Sequence, residues 1–454
     1  MPQSDHDKLC FKLFWAKVAV ALTLSNGGLF YLSWRTYDLH SRASAPSTPN
    51  LLPPVAILDR SGKALASCAY RPDSGYARLE PQTPRRMVGF SLDWSYDLPS
   101  AIVKKLGGYS PPVFNTFMNF APGLNGVGFD NASLNWFGSE CGKTGSMLEL
   151  TLQPSAPLST LTDDMYDTLA QELFNINTYY GVPVFLRYGH EMNGDWTMYG
   201  NQPIAFIASF KKMAAAVRAK TNMTAMVWGP NIGITYPFTG AGVSEIPAVG
   251  TPDFNLLDTN KDGVINNNDD PYTPFYPGDD VVDWVGLSLY NYPFPNCYNC
   301  QVPVTYFNDY LTGQGPVTSM AAPVTPAYTA VHNFYQMFCV TRGKPLMIPE
   351  TGSPYMPDYA NKPGSQDDAT VKKQWWSQIL TQESMSTFPK LKLAVNFEET
   401  KIQSPLGQDV VNNWKVTNTT AQQQMFESLL KGFQSNLLAT SDLKFSCDGS
   451  VSAM

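Results

Sequence analysis

From residue 86 onward, short apolar runs alternate with longer amphipathic stretches. The apolar runs are Met87–Trp94, Pro112–Phe120, Met147–Leu152, Val182–Tyr188, Thr224–Trp228, Val281–Tyr290, Pro345–Pro349 and Leu391–Phe397. Their near-continuous apolar character fits strands buried on both faces of a parallel sheet. Between them lie helical patterns. In Thr162–Tyr180 one face carries Met165, Leu169, Leu173, Ile176 and Tyr180, with Thr162 and Asp163 as N-cap candidates. Pro203 opens another helix, with Ile207, Phe210, Ala214 and Val217 inside and Lys211, Lys212 and Arg218 outside. Eight strand-then-helix units predict an α/β fold, a (β/α)8 TIM barrel with long loops. A doubly wound open sheet is the structural alternative. No Gly-x-Gly-x-x-Gly turn follows the first strand, so a dinucleotide site has little support.

The pattern upstream is different. Residues 1–17 read as a cytoplasmic tail, 18–34 as a signal-anchor or signal peptide, 35–54 as a Ser/Pro linker and 55–85 as an N-terminal extension before the domain at 86–454. Lys8, Lys12 and Lys17 precede the uncharged stretch Val18–Trp34, which sits at the lower length limit for a bilayer span. The positive flank puts the N-terminus in the cytoplasm and the rest outside, as a single-pass type II membrane protein. Cleavage after Ala43-Ser44-Ala45 would give the same address as a secreted protein, but Pro46 is a poor residue to cleave before. Setting Cys10 aside leaves Cys68, Cys141, Cys297, Cys300, Cys339 and Cys447, an even number that suits disulfides in an extracellular or secretory-pathway chain. Cys297-x-x-Cys300 as a zinc knuckle lacks a second pair, and the chain holds only four His. Sequons at Asn131, Asn222 and Asn418 agree with export and glycosylation.

Charge removes one class of partner. The formal charge is −7 and no basic block is long enough to track phosphates, which argues against nucleic acid. Few charges beside 10 Trp, 23 Tyr and 25 Phe suit an uncharged ligand with flat apolar faces, such as a sugar, and equally suit an aromatic-rich core.

The chemistry-bearing residues stand at strand ends. The fourth strand runs into Gly189-His190-Glu191-Met192-Asn193-Gly194-Asp195-Trp196, which in a barrel puts His190 and Glu191 at the C-terminal mouth. A zinc-protease reading of His-Glu fails, because Gly194 stands where the second His is needed and the run follows a strand. The seventh strand ends at Glu350-Thr351-Gly352-Ser353, delivering a second carboxylate to the same rim. Glycoside hydrolysis needs such a pair: one carboxyl protonated to donate to the glycosidic oxygen, the other ionised to attack the sugar. Taken singly, either Glu reads as a solvated or ion-paired loop residue.

At these residues the chain resembles glycoside hydrolase family 26, retaining (β/α)8 enzymes acting mostly on β-mannan. Arg187, His190, Glu191, Met192, Asn193, Gly194, Trp196 and Gly200 match the family's fourth-strand motif. Val227-Trp228-Gly229-Pro230-Asn231 is similar to its fifth strand, Asp283 to Asn291 to its sixth, and Lys344 to Ser353 to its nucleophile strand. The resemblance implies Glu191 as acid/base, Glu350 as nucleophile and Tyr290 as the hydrogen-bond partner of the nucleophile, with His190, Asn193, Trp196, Trp228 and Tyr290 as substrate-binding residues. Arg187 either helps hold Glu350 ionised or forms a structural ion pair. Thr197-Met198-Tyr199, and Asn396-Phe397-Glu398 where a Trp platform is common, depart from the pattern. Mannan is therefore the family default, with mixed-linkage β-glucan and β-1,3-xylan as alternatives, hydrolysis and transglycosylation both open, and a non-catalytic carbohydrate-binding barrel as the competing class.

One further motif precedes the sixth strand. Asp258, Asn260, Asp262, Val264, Asn266 and Asp269 occupy ligand positions of a twelve-residue calcium loop, with Gly263 at the sharp turn. Asp269 is shorter than the usual Glu. The spacing predicts a structural Ca2+ bracing the long loop that leads to Tyr290, while the chemistry itself needs no cofactor; the plainer reading is an Asp/Asn/Gly-rich surface loop.

Overall fold

The computed structural model describes residues 75–238, 242–291, 298–313, 332–403, 409–445 and 449–453. Eight strands form a closed parallel barrel: β1 (Arg86–Leu92), β2 (Val113–Phe120), β3 (Met147–Pro154), β4 (Val184–Tyr188), β5 (Thr224–Trp228), β6 (Trp284–Gly286), β7 (Leu346–Thr351) and β8 (Leu391–Glu398). Closure is made by β1 on β8, in register from Met87↔Leu393 to Leu92↔Glu398. The predicted (β/α)8 architecture is therefore the observed one, and the open-sheet alternative is excluded by that closing pair.

Each strand is followed by at least one helix. The predicted Thr162–Tyr180 helix spans Asp163–Tyr179, with the Thr162 side chain accepting from the Met165 N–H. The Pro203 helix runs Pro203–Lys220 and buries Phe206, Phe210, Met213, Ala214 and Val217; Ile207 is only partly covered. The predicted sixth strand shrinks most. Only Trp284–Gly286 is regular, and beyond it Leu287, Leu289 and Asn291 still donate to Met347, Glu350 and Gly352 carbonyls, so the apolar run continues as irregular pairing.

The barrel separates two cores. Strand residues facing outward, including Phe90, Leu150, Leu186 and Trp228, join the helices. Those facing inward, Met87, Val113, Met147, Phe185, Val227, Trp284, Met347 and Leu393, fill the barrel axis together with Leu79, Leu443 and Val451. The described part of the predicted N-terminal extension thus closes the barrel's lower end: Arg78 pairs with Asp283 at 2.8 Å, and its carbonyl accepts from Trp284 Nε1 at 2.6 Å. After β8, β9 (Thr400–Gln403) and β10 (Val410–Asn413) make an antiparallel ladder at the opposite mouth, and β11 (Leu437–Leu438), β12 (Leu443–Phe445) and β13 (Val451–Ala453) finish the chain near the lower end.

Two expectations meet corrections or limits here. Cys141 and Cys339 are buried free thiols, so the six cysteines do not pair as a set, while Cys300 is disulfide-bonded. The tail, anchor or signal segment and linker at 1–54 also lie outside them. Among the described residues no helix is long and apolar enough to cross a membrane.

Candidate active site

Two local irregularities aim the paired glutamates. Met347 faces the barrel axis, so Glu350, three residues on, would face outward in a regular strand. The β7–β8 register breaks between Ile348 and Thr351, where two β7 residues oppose one of β8. Pro349 has no N–H to lose from the ladder, and the resulting bulge turns Glu350 inward. On β4, Arg187 faces the axis and the chain then leaves the strand through Gly189 in the left-handed region at φ +59°, where a Cβ would lie 2.8 Å from the Phe206 ring. Glu191 follows at φ +54°, a region costly for a non-glycine residue. Its N–H donates to the Gly229 carbonyl at 2.8 Å, which holds that conformation against the β5 end.

The two carboxyls have opposite surroundings. Glu350 Oε1 accepts from Arg187 Nη1 and Oε2 from the Tyr290 hydroxyl at 2.8 Å. Arg187 is fully buried and its other Nη donates to Ser288 Oγ. Burial works to raise the Glu350 pKa, but the Arg187 charge and the two donors outweigh it and hold the carboxyl below the ordinary glutamate value. Glu191 Oε1 accepts from Asn231 Nδ2 at 2.9 Å and Oε2 from Trp196 Nε1 at 2.8 Å, both neutral donors. Its pKa is raised, first by burial and then by the charge of Glu350, with Arg187 only partly offsetting them. One carboxyl is therefore set up to stay ionised and the other to keep its proton.

Neighbouring residues fix this arrangement. Trp196 folds back over Gly194, where a Cβ would meet the indole at 2.4 Å, and this is what lets its N–H reach Glu191. The Tyr199 hydroxyl donates to the His190 carbonyl at 2.8 Å and lies 3.3 Å from Nδ1. Burial and then Arg187 push the His190 pKa down to about 3, so the imidazole is neutral. Its ring packs edge-on against Phe117.

Two predicted substrate-binding residues lie elsewhere. Trp228 is fully buried on the outer side of β5, against Tyr276, Phe334 and Phe338, because Val227 beside it takes the inward position. Asn193 is also fully buried; its side chain clamps Asn231, donating to the carbonyl at 2.8 Å and accepting from the N–H at 2.9 Å. Asn193 thus positions the residue that touches Glu191. Asn231, Ser288 and Tyr199 join the site from the fifth-strand, sixth-strand and post-Trp196 segments without having been marked by the sequence as site residues.

A third carboxyl lies in the barrel. Glu149, on β3, is fully buried, with the Asn115 side chain beside it. Burial raises its pKa to about 8, with Glu350 adding to the rise and Arg187 opposing it. The signal for it was one acid inside an apolar strand run.

The predicted calcium loop folds on itself. Asp258 accepts from the N–H groups of Asp262 and Gly263 at 3.1 and 3.0 Å, Asn260 Oδ1 from Asp262 N–H, and Asp262 from Val264 N–H. Asn266 Oδ1 accepts from the Asn268 N–H, and Gly263 has φ +86°, the turn expected of it. Asp269 is buried and accepts from the backbone of Thr259, Asn260 and Asn266, stapling the loop's ends. Among the described residues no group of three or more His, Cys, Asp or Glu side chains converges as a metal site.

No protein-family model matches the chain, and no curated protein matches it. Among solved structures it is similar to a GH26 β-mannanase from Bacteroides ovatus, at 14% identity over 81% of this chain and 93% of that one, with a TM-score of 0.48. The catalytic domain of a Bacillus sp. JAMB-750 GH26 endo-β-1,4-mannanase is similar at 15% identity, over 88% of this chain and 100% of that one, with a TM-score of 0.48. A fungal β-1,4-galactanase structure is similar at 12% identity, over 76% of this chain and 99% of that one, with a TM-score of 0.44.

Proposed function

We propose that the chain is an extracellular or secretory-pathway retaining endo-β-glycosidase, with Glu350 as nucleophile, Glu191 as acid/base and a β-linked polysaccharide as substrate, β-1,4-mannan first. The observation that supports this reading is the asymmetry of the two carboxyls: Glu350 is paired with the Arg187 cation and Tyr290, while the donors to Glu191 are the neutral side chains of Asn231, Trp196 and Ser288. Chemically, ionised Glu350 attacks the anomeric carbon as Glu191 gives its proton to the leaving oxygen, forming a glycosyl ester. Esterification removes the Glu350 charge, which had been raising the Glu191 pKa. Glu191 becomes more acidic and takes a proton from the incoming water, or from a sugar hydroxyl in transglycosylation.

The reading predicts that Glu350→Ala abolishes turnover on every substrate, a loss on the order of 10⁵-fold or more. Glu191→Ala spares activated aryl glycosides, whose leaving group needs no proton. A reducing-sugar assay over β-mannan, mixed-linkage β-glucan and β-1,3-xylan identifies the substrate, and equal loss by both variants on both substrate types would defeat the role assignment.

We also propose calcium as a structural ligand of the 258–269 loop, on the spacing of its oxygen-bearing residues and the Gly263 turn. Asp269 fits only in part, since stapling the loop occupies its carboxylate with backbone donors. Chelation should lower the melting temperature by an amount that grows with the calcium concentration of the untreated sample; an unchanged melting curve with chelator removes the proposal.

A further inference from the structure

The β8 side of the cleft is built from charge where stacking would be expected. Phe397, the last inward residue of β8, abuts Tyr290 with ring centroids 6.0 Å apart, and Tyr290 in turn donates to Glu350. The Phe397 ring offers no open face: it is 4% exposed, Trp414 packs edge-on against it, and Lys401 Nζ sits 4.3 Å above the ring centroid. Trp414 is itself buried beneath Tyr290. Beside them lie a donor and an acceptor, Lys401 Nζ and Glu399 Oε2, 3.5 Å apart, on partly exposed side chains.

The fold holds this pair toward the nucleophile. Glu399 directly follows β8, and the β9–β10 ladder fixes Lys401 opposite Asn412, on the less exposed face of a strand whose Ile402 points outward. Its place is corroborated electrostatically, since the charge of Glu350 is felt at Glu399 and that of Lys401 at His190.

Resting on the glycosidase reading above, we propose that Glu399 and Lys401 are the specificity-determining contacts for the sugar seated against β8, gripping adjacent hydroxyls of a neutral sugar in place of an aromatic platform. A carboxylate accepts from sugar O–H groups and an ammonium donates to their lone pairs, so neighbouring donor and acceptor match neighbouring hydroxyls. Because each charge is already balanced by the other, a uronate gains no net attraction and has to displace Glu399 to reach Lys401. The pair therefore favours a neutral sugar over an acidic one.

The test uses Lys401→Met and Glu399→Gln in the full chain. Each should raise KM for neutral β-linked oligosaccharides about ten-fold, the scale of one hydrogen bond to a charged group, with kcat within two-fold. The double variant should lose less than the product of the two, because both grip one sugar. Binding of the same oligosaccharides to the turnover-deficient Glu350→Gln protein, by calorimetry, should weaken in parallel. Unchanged KM and binding in both variants would make the pair a surface ion pair and overturn the inference. So would tighter wild-type binding of a uronate oligosaccharide that Lys401→Met abolishes. A wild type that cleaves no β-glycan fails the glycosidase reading itself and this inference with it, whereas cleavage with indifferent variants fails this inference alone.

Discussion

The lower and upper halves of the barrel axis are built from the same strands, two residues apart. On β3 the inward positions run Met147 then Glu149; on β4, Phe185 then Arg187. The lower member of each pair joins an apolar plug, and the upper one enters a cluster where Arg187 is the cation facing Glu149, Glu191 and Glu350. Moving by one inward position changes what the side chain does. The plug stabilises by burial, whereas the upper layer spends stability on desolvated charge and on the left-handed backbone at Glu191.

The comparison breaks most sharply at β4. Arg187→Met leaves Glu350 buried without its cation, and should cost about 3–5 kcal/mol while also moving the acidic limb of activity upward. Phe185→Ala, two residues below, should cost a similar 3–5 kcal/mol through the cavity it leaves, yet keep the wild-type pH profile in the folded fraction. Denaturant titration paired with pH–rate curves separates the two. If both variants keep the profile, the division of the axis into a stabilising half and a chemical half is wrong.

Glu149 gives a smaller effect with a definite sign. An ordinary glutamate releases its proton near 4.5, while in the folded chain Glu149 keeps its own until about 8. Between those values the folded state binds more protons than the unfolded one, so this group makes stability fall as pH rises. Glu149→Gln removes that slope: the wild type should lose melting temperature relative to the variant from about pH 5 to 8, and match it most closely at the acid end. Parallel curves across that range would mean that Glu149 is ionised in the fold.

How much of this was legible follows from the same geometry. Strands buried on both faces announce themselves as apolar runs, so seven of the eight could be found within a residue or two; β6 could not, because its pairing past Gly286 is irregular while its residues stay apolar. The same property hides facing. Val227 and Trp228 are adjacent and both apolar, and nothing in the sequence says which turns inward, so the outward Trp228 looks like a site residue from the sequence. Asn193 misled for a different reason: a polar residue in a site motif can serve another residue's backbone, here that of Asn231. Glu191 and Glu350 were legible because each stands where an apolar strand stops. The bulge that aims Glu350 was not, although Pro349 marks its place.

In the proposed reading, Glu350 is kept ionised by donors to its charged form while Glu191 keeps its proton. Tyr290 is the donor that can be removed with least damage, since Tyr290→Phe deletes one hydroxyl and preserves the ring against Phe397 and Trp414. The pH profile of kcat/KM for this variant tests the claim directly. Loss of the hydroxyl should raise the Glu350 pKa and shift the acidic limb to higher pH, with the basic limb, which reports Glu191, moving far less. An acidic limb that stays in place would contradict the account.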